Sequence, residues 1–373
     1  MKSVGLLLAG VLLAHGGFAA AAEETRPFYM GFSTWNFGPE KQDIEKTYEL
    51  INKHGDLIST QFNDGIPWPE AYEGKPYVPA FESQIKERMA AIEAIREGKK
   101  VYLEIASLNM GRDDYCGYRG AAGHMPMPEP WNTYPIDSEQ MITAYANFCN
   151  DVIGRFKPDF VNYGLESSDL ALKKSEAEWD AFVRFHAGVY KKIKAKYPDL
   201  PLGISVPLKH PAFDEMKTLH DAVPKMLPYV DFLGASVYAF VFFGHPDAGN
   251  PANLPETWLS EIAKMAQGKP VAVTETNWIA ERLELARWNI DVKSNPDFQR
   301  AYVEKLLSEA KDLNALFVVW WSVADFDKLW KTFPEDVKDI GKIWRDTGLY
   351  NEELKPRPGL EVWQSWLARP VKR

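Results

Sequence analysis

Two cysteines in 373 residues allow at most one disulfide, so this is not a disulfide-stapled scaffold. Whether Cys116 and Cys149 pair or remain buried thiols is open from the sequence. Histidine is scarce as well: beyond residue 22 the six at 54, 124, 186, 210, 220 and 245 show no His-x-x-x-His and no zinc-like spacing. No Gly-rich phosphate loop of either common type occurs, which removes the usual nucleotide readings. We therefore expect no metal and no cofactor. Basic excess is lacking too. A net charge of −9 with an aromatic-rich composition argues against nucleic acid or anionic lipid as a partner. Finally, no Gly/Ser-rich, Pro-rich or charged linker divides the chain and no short repeat is visible, so one large domain is expected.

The one long apolar run lies at the start. Lys2 is the only charged residue before Glu23, Val4 to Ala14 is apolar or small, and Ala19 to Ala22 offers small residues to a signal peptidase. Residues 1–22 read as a secretory signal peptide and 23–373 as the working domain. The apolar stretch is short for a bilayer, and no cysteine near the cleavage region awaits a lipid, so the expected fate is secretion or release into a periplasm, without membrane insertion.

Beyond residue 23 strand-like and helical runs alternate. Phe28 to Trp35, Leu57 to Phe62, Lys100 to Ala106, Asp159 to Glu166, Leu202 to Val206, Asp231 to Tyr238, Val271 to Thr274 and Ala315 to Ser322 are rich in β-branched and aromatic residues. Helical spacing appears over residues 40–54, 80–96, 176–196, 297–313 and 358–367, with another helix starting at Asp137 or Ser138 and a short one around 215–219. Runs four, seven and eight are nearly continuous in apolar character, as strands covered on both faces are. A doubly wound open sheet also alternates, but eight regular units favour a closed (β/α)8 TIM barrel with long βα loops.

Within that frame two glutamates are conspicuous. Glu166 and Glu275 each end an apolar run, and in a barrel such ends converge on the face where catalytic groups sit. Two carboxylates there can act on a glycosidic bond, one ionised to attack and one protonated to donate. For either glutamate alone, a strand-end carboxylate in a salt bridge is the plainer explanation.

Several segments resemble glycoside hydrolase clan A, the retaining (β/α)8-barrel glycosidases, and in style the endo-β-1,4-galactanases. Val273-Thr-Glu275-Thr-Asn-Trp278, preceded by Lys269-Pro270, is similar to the seventh-strand motif that bears the clan's nucleophile. Asn162-Tyr-Gly-Leu-Glu166 is similar to the fourth-strand motif bearing the acid/base. Asp231 to Tyr238 resembles the sixth-strand segment whose tyrosine hydrogen-bonds the nucleophile, and Trp320-Trp321 resembles the eighth-strand tryptophan under the sugar. The resemblance implies a β-linked poly- or oligosaccharide substrate, Glu275 as the ionised group with Tyr238 as donor, and Glu166 as the acid. One position departs from the clan: Leu165 stands where an asparagine normally contacts the sugar 2-hydroxyl. Asn162, Ser167 and Asp64 are candidates to replace that contact. The departure also motivates a rival, a barrel that binds glycans without cleaving them.

Other residues are weighed against plainer roles. Glu104, inside the third strand, reads first as half of a buried ion pair and second as a site residue. Asp64 either meets a sugar or caps the turn with Gly65. Asp325 and Asp327 are expected to order the loop after strand eight. His210 lines the site or sits satisfied at the surface. Of thirteen tryptophans, Trp35, Trp68, Trp278, Trp320 and Trp321 fall at or after strand ends, where sugars would stack. Trp278, Trp321 and Trp35 are kept as sugar contacts, while Trp179, Trp258, Trp363 and Trp366 read as core.

Overall fold

The computed structural model describes residues 24–245 and 247–372. The expected signal peptide, and with it the boundary at residue 23, lies outside them. Eight strands run in chain order: β1 (Tyr29–Ser33), β2 (Leu57–Phe62), β3 (Lys100–Ile105), β4 (Phe160–Asn162), β5 (Leu202–Pro207), β6 (Phe232–Val237), β7 (Val271–Thr276) and β8 (Phe317–Trp320). Each pairs in parallel with the next, and β8 returns to β1 through Tyr29↔Phe317 to Phe32↔Trp320, closing the barrel. That last pairing removes the open-sheet alternative. The helices that succeed the strands are α1 (Lys41–His54), α2 (Pro79–Glu93), α3 (Glu139–Phe156), α4 (Glu176–Lys196), α5 (Asp214–Ala222), α6 (Glu261–Ala266), α7 (Pro296–Asp312) and α8 (Pro358–Leu367).

Local chemistry sets several of these boundaries. Ser138 caps α3 by accepting from the Met141 N–H, Asn295 caps α7 through Phe298, and Ser175 with Glu178 forms a reciprocal box at the start of α4. Among the described residues, no helix is long and apolar enough to cross a membrane. Cys116 and Cys149 are buried and unpaired, and burial pushes the Cys116 thiol up to about 12.

The barrel interior is layered because side chains alternate along each strand. Leu57, Tyr102, Phe160, Phe232, Ala272, Phe317 and Val319 form an apolar plug, with the Tyr102 and Phe317 rings 4.5 Å apart. Two residues further along, the same inner faces turn polar at Ser59, Glu104 and Asn162, all buried. A bulge breaks the alternation in β7: Val273 pairs with Ala235, but Glu275 pairs with Ser236, leaving Thr274 as the extra residue. Gly234 makes room for it, since a Cβ there would lie 2.3 Å from the Thr274 methyl. The bulge is what brings Glu275 opposite Ser236.

The loops exceed what composition suggested. The loop after β3, residues 109–135, contains a small antiparallel hairpin, Tyr118–Gly120 with Gly123–Met125. Helix Trp68–Glu73 comes after the β2 loop, and helix Glu335–Arg345 rises over the mouth from the β8 loop. The fourth strand is shorter than expected. It ends at Asn162, and Glu166 lies beyond it at the start of a 3-10 turn.

Candidate active site

Glu166 adopts a left-handed backbone conformation, φ 49° and ψ 29°, which is unfavourable for a residue carrying a Cβ. Two contacts hold it there. Its N–H donates to Ser205 Oγ at 2.7 Å, and Ser205 in turn accepts from Asn162 Nδ2 at 3.0 Å. The carboxyl is gripped on both oxygens: Ser236 Oγ–H donates to Oε1 at 2.6 Å and Arg112 Nε–H to Oε2 at 3.1 Å. Arg112 comes from the loop after β3, is 7% exposed, and is itself fixed through Nη1 to Asn63 Oδ1 at 3.0 Å and the Asn109 carbonyl at 2.8 Å. A charge-assisted, nearly buried pair of this kind orients the carboxyl as well as compensating its charge.

Glu275 is 6% exposed, and the Tyr238 hydroxyl donates to its Oε2 at 2.7 Å, as the sixth-strand resemblance implied. Burial pushes the Glu275 carboxyl up to about 8, and the charge on Glu166 adds to the effect, while Tyr238, Arg112 and Ser236 oppose it. In the resting site the proton therefore favours Glu275. The sequence reading has Glu275 as the ionised member, a role that Tyr238, Arg112 and Ser236 favour and burial opposes. Arg112, which grips Glu166, comes from a distant loop that no spacing in the chain ties to the fourth strand.

Below the pair lies a third carboxyl. Glu104 accepts from Ser59 Oγ at 3.1 Å, Tyr102 OH at 3.0 Å and Asn162 Nδ2 at 3.5 Å. The expected ion pair is not there: among the described residues no cation contacts Glu104, and its partners are hydroxyls and an amide. Burial, with the charges on Glu275 and Glu166, pushes it well above the usual carboxylate range.

The aromatic expectations divide. Trp321 and Trp35 are partly exposed with ring centroids 4.6 Å apart, and Trp344 extends the surface, 6.3 Å from Trp321 and 5.7 Å from Tyr238. Trp278 is not a sugar contact: it is fully buried, its indole N–H donates to the Gly249 carbonyl at 3.0 Å, and it stacks on Tyr302 at 4.5 Å. Trp68 and Trp320 are fully buried too, as are Trp179, Trp258 and Trp363 to within 3%. Asp64 is exposed after β2, and its charge acts on Arg88. Asn162, bound to Ser205 and to the Gly164 N–H at 3.0 Å, is buried beneath the site, and Leu165 is wholly buried. Ser167 is also fully buried, its hydroxyl without a hydrogen bond. Asn162 and Ser167 are thus buried away from a sugar, whereas Asp64 is exposed on the loop whose Asn63 accepts from Arg112. His210 is half-buried, packed on Phe213 and Phe243.

Sequence reasoning missed Arg112, Asn63, Ser236 and Trp344. Ser236 was within reach, since it precedes Tyr238 by two residues on one strand face. The others come from long loops without periodicity. Two acidic groups, Glu281/Asp325/Glu352 and Asp325/Asp327/Asp346, have oxygens close enough to share a cation. Arginines already serve them: Arg357 meets Asp325 at 2.7 Å and Glu281 at 2.9 Å, and Arg345 meets Asp346 at 2.7 Å. Asp325 also accepts from the Gly348 N–H at 2.8 Å, so it orders the β8 loop as expected.

No family model matches this sequence, and no curated protein matches it. Solved structures do match. An exo-β-1,4-mannosidase from Opitutaceae bacterium strain TAV5 is 15% identical with a TM-score of 0.62, covering 93% of this chain, which spans only 60% of that one. Xylanase 10B from Thermotoga maritima is 13% identical with a TM-score of 0.57, over 91% of this chain and 95% of that one. The GH53 catalytic domain of Ignisphaera aggregans is 15% identical with a TM-score of 0.57, over 91% and 96%. At these identities the likeness carries the architecture, a (β/α)8 barrel, and the chemistry must come from the site itself.

Proposed function

We propose that the protein is a secreted or periplasmic retaining glycoside hydrolase that cleaves a β-linked poly- or oligosaccharide with Glu275 as nucleophile and Glu166 as acid/base. The observation that carries this reading is the placement of two carboxyls about one serine at the C-terminal mouth of the barrel. Ser236 donates to Glu166 at 2.6 Å and is the cross-strand partner of Glu275. One serine beside both groups suits the short separation of retaining enzymes, about 5–5.5 Å, better than the roughly 6.5–9.5 Å that leaves space for an inverting enzyme's water. Tyr238 on Oε2 of Glu275 leaves the other oxygen for the anomeric carbon. The Trp35, Trp321 and Trp344 surface suits stacking of a sugar face.

In this mechanism Glu275 attacks the anomeric carbon while Glu166 protonates the departing oxygen, and Glu166 then activates water to release the covalent sugar. Export is part of the proposal and rests on the pattern of residues 1–22. The mannosidase and xylanase among the structural neighbours make β-1,4-mannan and xylan the first substrates to try, with galactan and glucans beside them. Buried Leu165 favours one alternative, a barrel that holds glycan without turnover. A screen of residues 23–373 on these polysaccharides separates the two. Hydrolysis abolished by Glu275→Gln supports the enzyme, whereas binding without hydrolysis supports the alternative.

A further inference from the structure

Seven large apolar side chains are exposed among the described residues, and four of them come from the loops after three successive strands, β6, β7 and β8. They are Phe242, Trp288, Val337 and Ile340. These loops pack together: the hairpin Leu283–Leu285 with Ile290–Val292, whose tip carries Trp288, contacts both the turn Ala239–Phe242 and the helix Glu335–Arg345. Exposed apolar side chains gathered in one place on a folded chain mark a binding surface.

The helix is held by its other faces. Trp330 Nε1–H donates to the Lys338 carbonyl at 2.8 Å, a Cβ on Gly341 would lie 3.1 Å from the Phe333 ring, and Ile343 is buried. Helical spacing puts Val337, Ile340 and Trp344 together on a separate face. At the mouth end of that face the Trp344 ring lies 5.7 Å from Tyr238 and 6.3 Å from Trp321. Tyr238, whose hydroxyl holds Glu275, lies 6.5 Å from Phe242. An uncharged strip thus leads from the carboxyl pair out along the rim, through Phe242, Tyr238, Trp344, Ile340 and Val337.

We propose that this strip receives an apolar aglycone, so that the substrate is a β-linked sugar or oligosaccharide joined to an alkyl or acyl-bearing chain rather than a purely polar polysaccharide; this rests on the catalytic reading of Glu166 and Glu275. Valine, isoleucine and phenylalanine side chains offer no donor or acceptor to sugar hydroxyls, so beyond Trp344 the strip suits hydrocarbon. Continuity with the reacting groups selects the aglycone as its occupant. The strand that leads to Tyr238 and Phe242 also supplies Ser236, which donates to Glu166, the group that the leaving oxygen must meet. A departing chain therefore starts beside the strip.

The test is a series of β-glycosides of one sugar, the one that the polysaccharide screen identifies, with methyl, butyl and octyl aglycones below their micelle concentrations. The leaving alcohols are of similar acidity, so apolar length varies while the chemistry stays constant. In the wild type kcat/KM is expected to rise about 30-fold from methyl to octyl, and Val337→Ser with Ile340→Ser is expected to bring that ratio below about fivefold. A flat series in an active wild type, or a rise that the double variant keeps, overturns the strip and leaves the enzyme reading standing. A wild type that cleaves no glycoside overturns both. A dimer that Ile340→Ser dissociates also overturns the proposal, because the face then belongs to a second copy. Should the double variant fail to fold, uncleaved thioglycosides decide: the octyl compound should inhibit the wild type about 30-fold more tightly than the methyl one, and equal inhibition refutes the strip.

Discussion

Glutamine in place of Glu275 keeps the shape of the side chain and an oxygen for the Tyr238 hydroxyl, but removes the proton equilibrium. In the native protein burial and the Glu166 charge raise this carboxyl from the ordinary 4.5 to about 8. Between those values the unfolded chain has released its proton while the folded one retains it. Stability from this group is therefore fully present below pH 4.5 and is lost progressively as pH rises toward 8. At about 1.4 kcal/mol per unit, the loss by pH 7 is roughly 3 kcal/mol. Glu275→Gln should accordingly melt close to the wild type at pH 4.5 and roughly 4 °C above it at pH 7, measured by calorimetry. A difference that stays flat with pH, or that favours the wild type at pH 7, would refute the assignment of Glu275 as a buried group protonated at rest.

The contacts around the pair lead to three more outcomes. Arg112→Gln removes a cation that favours the ionised form of Glu275, so the acid limb of the kcat/KM profile should move up by about one pH unit, and an unmoved limb would show that Arg112 is electrostatically remote. Trp321→Ala should raise KM with little loss of melting temperature, whereas Trp278→Ala should cost about 3–5 kcal/mol of stability, since only the latter is buried. Leu165→Asn puts an amide in a fully buried site next to Glu166; we expect lower stability and no gain in turnover, and a gain would mean that the site lacks the clan's usual contact.

Much of the scaffold was legible because it obeys local rules. Helix α4 spans the expected 176–196 because Ser175 and Glu178 announce its start, and α8 begins at Pro358, whose fixed φ suits a first helical position. Val271 to Thr274 stood out as an unbroken apolar and β-branched run after Lys269-Pro270. Where side chains are aimed by tertiary events, the sequence was mute. Glu166 reaches the mouth through a left-handed turn beyond its strand, and Glu275 through a one-residue bulge, neither of which a period of two encodes. Trp278 and Trp321 look alike as residues near strand ends, but the chain after β7 turns its indole onto Tyr302 while Trp321 stays at the mouth beside Trp35. Arg112, in a long loop with no periodicity, becomes a determinant of the site only once the barrel has closed beneath it.

If Glu275 forms a covalent bond to the sugar with Glu166 as its acid/base partner, that bond can be trapped. Incubating the protein with a 2-deoxy-2-fluoro-β-glycoside bearing a good leaving group slows release of the intermediate, and mass spectrometry of the digested protein then locates the added sugar. We expect one sugar per chain, on the peptide containing Glu275, and none in Glu275→Gln. A label on Glu166, or rapid turnover of a matched substrate with inversion at the anomeric carbon, would contradict the proposed roles of the two glutamates.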